Sequence, residues 1–271
     1  MKTGDSKIPP MSDLRLASLG PLLIADAPAK AAATLALDAT LPVDAAAQIA
    51  EPAGIPGRPA RPRLVEHITL KPPSMRTPAG VAALVHAIAH IELNAIDLAL
   101  DACWRFPGMP EAFYRDWLRI AQEEATHFTL LREHLLTMGF DYGDYDAHNA
   151  LWDMAERTKH DVLARIALVP RTLEARGLDA SPAVKRKLVG AGDHRAGEIL
   201  DIILRDEIGH VAAGNRWFRY LCDQRALEPV ATYAELAARY QAPKLRAPFN
   251  LDARRAAGFD DAELAALEQQ P

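Results

Sequence analysis

The most constraining feature of this sequence is a short pattern, Glu-x-x-His, that occurs twice on stretches with helical periodicity. Glu124 and His127 form the first pair, and Glu207 and His210 form the second. Residues three apart lie on the same face of an α-helix, so each pair presents a carboxylate and an imidazole together. Two such pairs, each joined by a lone glutamate from another helix, form a dinuclear iron or manganese site in some four-helix bundles.

Four stretches have the apolar periodicity of amphipathic helices, and each carries a glutamate on its apolar face. The predicted helices cover residues 77–106, 110–138, about 147–177 and 193–224. Glu92 lies in the middle of the first apolar face. The third helix contains Pro170, which kinks or ends a helix, and we expect Glu174 in its last turns before Gly177.

The lone glutamates Glu92 and Glu174 precede Glu124 and Glu207 by 32 and 33 residues. Two antiparallel hairpins would therefore bring all six groups to one level. Four buried carboxylates would repel one another, and a pair of cations removes that difficulty. Carboxylate and imidazole ligands suit iron and manganese. The predicted metal ligands are Glu92, Glu124, His127, Glu174, Glu207 and His210.

Each of these residues also has an ordinary structural interpretation. Glu92 alone fits the edge of an apolar face, and either His127 or His210 alone fits a core imidazole bonded to a carbonyl. Glu174 alone fits a helix cap or a partner of Arg171. The metal hypothesis is favoured because the six residues occur together, in this order, on four helical faces.

The pattern resembles the ferritin-like superfamily of di-iron carboxylate proteins, and more closely the bacterial ferritin-like family of unknown function DUF455. The closer resemblance is carried by His86-Ala-Ile-Ala-His90-Ile-Glu92-Leu, Glu124-Ala-Thr-His127-Phe, Leu173-Glu174-Ala-Arg-Gly177-Leu, Glu207-Ile-Gly-His210-Val, Tyr142-Gly-Asp144 and Arg254-Arg-Ala-Ala-Gly-Phe259. It implies an all-α, ferritin-like four-helix bundle with two metal ions. Iron is the first candidate, with manganese or a mixed iron–manganese pair as alternatives.

Two further acids stand immediately before the leading glutamates of the pairs. The string Arg205-Asp206-Glu207 is similar to one in the small subunit of ribonucleotide reductase, where the aspartate hydrogen-bonds a liganding imidazole. The resemblance implies that Asp206 orients His127 or His210, and the alternative is a solvated charge. Glu123 lies about 100° from Glu124 around the helix and is a flanking residue or a partner of a ligand.

We divide the chain into three parts. Residues 1–76 hold short helices, with Asp26 as a cap, and a Pro/Arg-rich arm that packs on the bundle. Residues 77–224 form the bundle, and residues 225–271 form a helical tail with helices near 232–240 and 260–268. The basic residues along the arm are Arg58, Arg61, Arg63, Lys71 and Arg76.

Charge and hydropathy restrict the partners and location. The net charge of −5 gives no general footprint for nucleic-acid binding, although the arm leaves a local basic patch open. No run approaches 18 consecutive apolar residues, and no apolar segment follows Lys2 and Lys7, so we expect neither a membrane span nor a secretory signal. Cys103 and Cys222 fit reduced core residues of a cytoplasmic protein. A homodimer is left open.

The leading function hypothesis is an oxidoreductase that uses O₂ to oxidise or hydroxylate an unknown small molecule. Non-enzymatic iron binding with ferroxidase activity, peroxide detoxification, a site with a structural role only and a transfer-RNA-modifying hydroxylase that uses the arm are the alternatives. Ala125 and Gly209 stand beside predicted ligands and either leave room for a substrate or allow close helix packing.

Overall fold

The computed structural model describes residues 13–66, 69 and 74–269. The regular elements within these residues are all helical, which confirms the prediction of an all-α fold. The helices are α1 Leu14–Ala17, α2 Leu19–Leu23, α3 Ala27–Leu35, α4 Pro78–Arg105, α5 Glu111–Thr137, α6 Ala150–Thr158, α7 Val162–Leu168, a π-helical segment Val169–Glu174, α8 Ala175–Gly190, α9 His194–Gln224, α10 Pro229–Arg239, α11 Leu251–Ala256 and α12 Asp261–Glu268.

The three longest helices begin and end where local signals place them. Thr77 caps α4 by accepting a hydrogen bond from the Gly80 amide, and Asp193 caps α9 in the same way through the Ala196 amide. Gly139, with φ of +83°, follows the end of α5. The predicted ranges 77–106, 110–138 and 193–224 are confirmed to within one residue at each end of these helices.

The third predicted helix is wrong in its course. It begins at Ala150 rather than near 147, breaks after Thr158, and widens into the π-helical segment at Pro170. It then continues as α8 to Gly190, so Glu174 lies within the run and not in its last turns. Pro170 has no amide proton to donate, and the wider π turn absorbs the missing bond without ending the helix.

The long helices pack in sequence and across the molecule. α4 packs along α5, α8 along α9, and α5 against α9, while α7 and the π segment also contact α9. The N-terminal helices lie outside this group, with α3 on α5 and α2 on α4. In the tail, α10 contacts α7 and α9, and α11 contacts α8 and α9. α11 was not predicted, whereas α12 has the predicted Asp260 cap, within a full capping box.

Buried ion pairs fix the N-terminal part to α4. The Lys30 ammonium contacts the Asp97 carboxylate, and both side chains are almost fully buried. Arg58, from the arm, donates to Asn94 on α4 and to Asn149 before α6, both at 3.1 Å. Of the predicted arm residues, Lys71 lies outside the described residues, as do Lys2 and Lys7.

α4 is long and apolar enough to cross a membrane when only its length and composition are considered. However, 67% of its apolar window is buried inside the protein. It also carries buried ionisable groups, including Glu92, Asp97 and Asp101. A helix in the core of a protein passes the same test, and burial of this extent is typical of such a helix.

Candidate metal centre

Three helices bring four of the six predicted ligands together in the interior. Glu92 comes from α4, Glu124 and His127 from α5, and Glu207 from α9. One ligand atom from each of the four lies within 4.8 Å of the others, and all four residues are buried. The Glu-x-x-His spacing therefore turns carboxylates and imidazole from separate helices towards one point.

Both imidazoles direct Nδ1 into this cluster. His127 Nδ1 lies 3.2 Å from Glu92 Oε2 and 3.3 Å from Glu124 Oε2. His210 Nδ1 lies 2.9 Å from Glu124 Oε1 and 3.8 Å from Glu207 Oε1. Glu124 is thus the central carboxylate, with one oxygen towards each imidazole.

Glu174 lies beside the cluster rather than within it. Its side chain is half-buried, and its Oε2 is enclosed without a hydrogen-bond partner among the described residues. Burial raises its pKa first, the Glu207 and Glu124 charges raise it further, and His210 lowers it, so these three groups are its charged neighbours. Arg171 pairs with Glu263 on α12 and not with Glu174.

Several buried polar atoms of the site have no aligned hydrogen-bond partner within the described part of the chain. They are Glu124 Oε1, Glu174 Oε2, Glu207 Oε2 and His210 Nδ1. Glu124 Oε1 and His210 Nδ1 lie 2.9 Å apart, but they are not aligned for a hydrogen bond. Each such atom costs about 1–3 kcal/mol if nothing else satisfies it. Two donors on one ion, each about 2.1 Å from it and at right angles, lie roughly 3 Å apart. The distances from His127 Nδ1 to Glu92 Oε2 and Glu124 Oε2 and from His210 Nδ1 to Glu124 Oε1 are of that size.

The outer nitrogen of each imidazole is held by an acid from the opposite helix. His127 Nε2, on α5, lies 3.1 Å from Asp206 Oδ2 on α9. His210 Nε2, on α9, lies 2.8 Å from Glu123 Oε2 on α5. Asp206 immediately precedes Glu207, and Glu123 immediately precedes Glu124. Each of the two helices therefore orients the imidazole of the other. Such a bond fixes the ring orientation and makes an imidazole a better ligand.

Surface arginines hold the two outer acids. Arg205 Nε lies 2.8 Å from Asp206 Oδ1, and Arg119 Nη1 lies 2.6 Å from Glu123 Oε2. Both arginines are largely exposed, so these pairs contribute little stability by themselves. Their effect is to orient Asp206 and Glu123. Arg205 is adjacent to Asp206 in the string already quoted, and Arg119 stands four residues before Glu123, but neither arginine was assigned a role from the sequence.

The imidazoles balance the acids by holding protons. Burial opposes a charge on His127, but its hydrogen bonds to Glu124 and Glu92 outweigh burial and raise its pKa to about 11. Burial also opposes a charge on His210, and the Glu124 charge with the Glu123 bond raises its pKa well above the ordinary value.

The carboxylates divide into two groups. Burial raises the pKa of Glu92 and of Glu207, and the Glu124 charge adds to the rise in both. Burial and the Glu207 charge likewise raise the pKa of Glu174. Glu124 is opposite, because the two imidazolium groups overcome its burial and lower its pKa. A cation in the cluster would do what these protons do, so the donor set fits a metal.

Two glycines of α9 have different surroundings. A Cβ on Gly214 would lie 2.9 Å from Pro170 Cβ, so this glycine permits the close approach of the π segment. A Cβ on Gly209, between Glu207 and His210, would have no atom within 4 Å. Close packing therefore does not require Gly209, whereas Ala125 is fully buried in the core. The role of Gly214 was missed, because its long-range contact leaves no local signal.

Comparisons with known proteins find one family and one similar sequence. Residues 23–265 match the model of a family described as a protein of unknown function, DUF455. A protein of Haemophilus influenzae (strain ATCC 51907 / DSM 11121 / KW20 / Rd), described as an uncharacterized protein, is 50% identical over 213 residues. The match covers 76% of this chain and 74% of that relative. No solved structure matches the chain.

Proposed function

This chain belongs to the DUF455 family, and we propose that it is a ferritin-like protein with two metal ions that uses O₂ to oxidise or hydroxylate a small organic substrate. The proposed bundle consists of α4, α5, the run from α7 through α8, and α9. Support comes from the order of the acidic and imidazole groups along these helices, which is Glu, Glu-x-x-His, Glu, Glu-x-x-His.

One observation carries the proposal. Glu92, Glu124, His127 and Glu207 converge within 4.8 Å in a buried cluster, and carboxylate oxygens there have no hydrogen-bond partner among the described residues. A cluster that served only the fold would be expected to satisfy its buried polar atoms within the protein. Carboxylate and imidazole donors suit iron or manganese, and both cysteines are buried elsewhere in helices.

Each residue has a definite part in this function. Glu92, Glu124, His127 and Glu207 would hold one ion, and Glu174 and His210, with Glu124 and Glu207, would hold the other. Iron bound there would supply the redox chemistry, because it changes between the ferrous and ferric states and can pass electrons from a substrate or reductant to O₂.

The outer acids and the glycine have supporting parts. Asp206 and Glu123 would keep the proton of each imidazole on Nε2, so that Nδ1 stays available inside the site. The open space at Gly209 would leave room beside the ligands for a small molecule.

Metal analysis of glutamate variants tests the ligand set. Glu124→Ala and Glu207→Ala should each lose most bound iron or manganese when measured by elemental analysis after loading and desalting. Glu133→Ala and Glu198→Ala are matched controls, because these glutamates are exposed on the same two helices. Unchanged metal content in the first two variants would refute the assignment.

Oxygen consumption tests the reaction class. Protein loaded with Fe(II) under anaerobic conditions should consume O₂ faster than the same concentration of free Fe(II), and the Glu124→Ala variant should not. Sustained consumption that depends on an organic reductant or substrate supports an oxidoreductase. Consumption that stops after stoichiometric iron oxidation supports ferroxidase activity, and no enhancement supports a structural metal.

The arm gives little support to the alternative of a transfer-RNA-modifying hydroxylase. Arg58 is engaged by Asn94 and Asn149, and Arg63 pairs with Asp146. Two of the basic groups on which that alternative depends are therefore already bonded within the protein.

A further inference from the structure

Arg171 is a buried cation on the π segment, three residues before Glu174. Its side chain is only 3% exposed. Its Nε donates to Asn215 Oδ1 on α9 at 2.9 Å, and its Nη2 donates to Glu263 Oε1 on α12. The guanidinium also lies 4.6–5.0 Å from the ring centroids of Phe218, Tyr233 and Phe259. A cation enclosed in this way depends on its carboxylate partner.

The Glu263 carboxylate connects α12, on which it lies, to the π segment and to α9. Its Oε1 accepts from Arg171, and its Oε2 accepts from Arg219 Nη2 on α9 at 2.5 Å. Oε2 also accepts from the Asp260 amide at 2.9 Å, within the capping box of α12. The C-terminal tail therefore joins the π segment to the helix that carries Glu207 and His210.

We propose that Glu263 is a positioning residue for the metal site: through Arg171 it fixes the π segment, and with it the Glu174 carboxylate, against α9. This inference rests on the proposed function. A π turn is rare and has weaker internal support than an α turn, so its shape must be fixed by contacts from outside. The close approach of Pro170 to Gly214 supplies one such contact, and the Arg171–Glu263 pair supplies the other.

Because Glu263 positions Glu174, its loss should affect the binding of the two proposed ions differently. The four converging groups Glu92, Glu124, His127 and Glu207 do not include any residue of the π segment. Loss of Glu263 should therefore leave the first ion in place and weaken only the ion that needs Glu174. A general loss of stability would weaken both.

Titration with Mn²⁺ under inert gas tests this difference, with calorimetry as the readout. Glu263→Gln keeps the size of the side chain and an oxygen acceptor for the cap, but removes the charge that Arg171 and Arg219 share. We expect the first ion to bind within about twofold of wild type and the second at least tenfold more weakly. Asp260→Ala is the matched control, because it removes the cap of the same helix without removing a partner of Arg171, and it should leave both ions unchanged.

A second variant and a metal-free readout keep the inference testable. Arg219 is partly exposed, so Arg219→Gln should fold, and it should weaken the second ion by a smaller factor, about threefold. In metal-free protein, amide hydrogen exchange across residues 169–174 should be at least tenfold faster in Glu263→Gln and unchanged in Asp260→Ala.

The outcomes separate the two proposals. If wild type binds no metal, the proposed function fails, while the exchange rates still test whether Glu263 fixes the π segment. Equal weakening of both ions, or unchanged exchange across 169–174 in Glu263→Gln and Arg219→Gln, would overturn the positioning role.

Discussion

The reciprocal support of the two histidines shows how much a single residue in this site depends on its opposite helix. Asp206 touches His127 at 3.1 Å, and Glu123 touches His210 at 2.8 Å. Neither acid lies among the four converging groups, yet each determines which imidazole nitrogen faces inwards. The loss of a residue that only orients a ligand typically lowers metal affinity by about 10–100-fold.

Asp206→Asn should weaken metal binding without unfolding the protein. The amide keeps the shape of the side chain but cannot stabilise the imidazole as a charged acceptor does, so we expect a loss of about 10–100-fold in affinity. Competition with a chelator of known affinity measures it. Asp201→Asn is the control, since Asp201 is exposed on the same helix and pairs with Lys185. Equal affinities in the two variants would argue against the role of Asp206.

Gly214→Ala and Gly209→Ala should differ in stability although both change a glycine of α9. The new methyl at 214 would lie 2.9 Å from Pro170 Cβ, and such overpacking costs about 1–3 kcal/mol. The methyl at 209 has free space and should stabilise the helix by about 0.5–1 kcal/mol. Urea unfolding of metal-free protein measures both. A neutral Gly214→Ala would show that α9 and the π segment can separate at little cost.

Among the elements, α4 has two buried polar faces with different tasks. Glu92 faces the buried cluster of Glu124, His127 and Glu207, while His86 and His90 hold the connection between α5 and α6. The Gly143 amide donates to His86 Nε2 at 2.9 Å, and the Tyr142 ring stacks on His86 at 5.1 Å between centroids. His90 Nδ1 lies 2.8 Å from the Tyr142 hydroxyl. The connection is therefore fixed to the back of the helix that supplies a ligand.

His86 should make the protein less stable as the pH falls. Burial lowers the pKa of His86 from 6.5 to about 4, so the folded state keeps it neutral while the unfolded state takes up a proton. The stability that neutral His86 contributes is fully present above pH 6.5 and is lost as the pH falls towards 4. Between pH 7 and pH 5 it amounts to about 2 kcal/mol.

The measurement compares wild type with His86→Phe, which keeps an aromatic ring beside Tyr142 but does not titrate. Urea unfolding of both metal-free proteins at pH 7 and pH 5 isolates the contribution, because all other groups titrate in both. The wild type should lose about 2 kcal/mol more than the variant on acidification. An equal loss in the two proteins would mean that His86 is accessible to protons in the folded state.

The success of sequence-based prediction also differs between elements. α4, α5 and α9 were predicted because capping residues, apolar periodicity and terminal glycine or proline signals agree along each of them. The course of α7, the π segment and α8 was not, because a helix tolerates Gly177 inside it and Pro170 only widens a turn. Helical spacing places Glu124 and His127 on one face of α5, and the packing of α4 and α9 brings Glu92 and Glu207 to the same cluster. The Arg171–Glu263 contact joins residues 92 positions apart, and local patterns carry no information about it.

At the scale of the whole molecule, the N-terminal helix α3 and the C-terminal tail are held to the rest of the fold by buried charges. Lys30 pairs with Asp97 near the N-terminal side, Arg171 with Glu263, and Arg254 with Asp179 in the tail. Breaking one partner of a buried pair costs about 3–5 kcal/mol. Truncation of either end therefore leaves an unpaired charge in the interior and should affect the site as well as the termini.

Metal should stabilise the whole fold and not only its site. Each ion that binds only the folded state adds about 2.7 kcal/mol when its free concentration is 100 times Kd. For a chain of this size the thermal midpoint should rise by several degrees with Mn²⁺, and Mg²⁺ at the same concentration should raise it less. Scanning calorimetry measures the shift. The Glu124→Ala protein should show no rise, and a rise equal to that of wild type would locate the bound ion elsewhere.

The reciprocal hold of the two histidines also has a consequence for biosynthesis. A ribosome that has released only the first Glu-x-x-His helix has produced an imidazole whose orienting acid is still untranslated, about eighty positions downstream. Under the proposed function, neither Glu-x-x-His helix alone would hold an ion in its final geometry. Under the proposed function, the ions would therefore enter only after α9 has been synthesised, and a product that stops before α9 would bind no iron in this geometry.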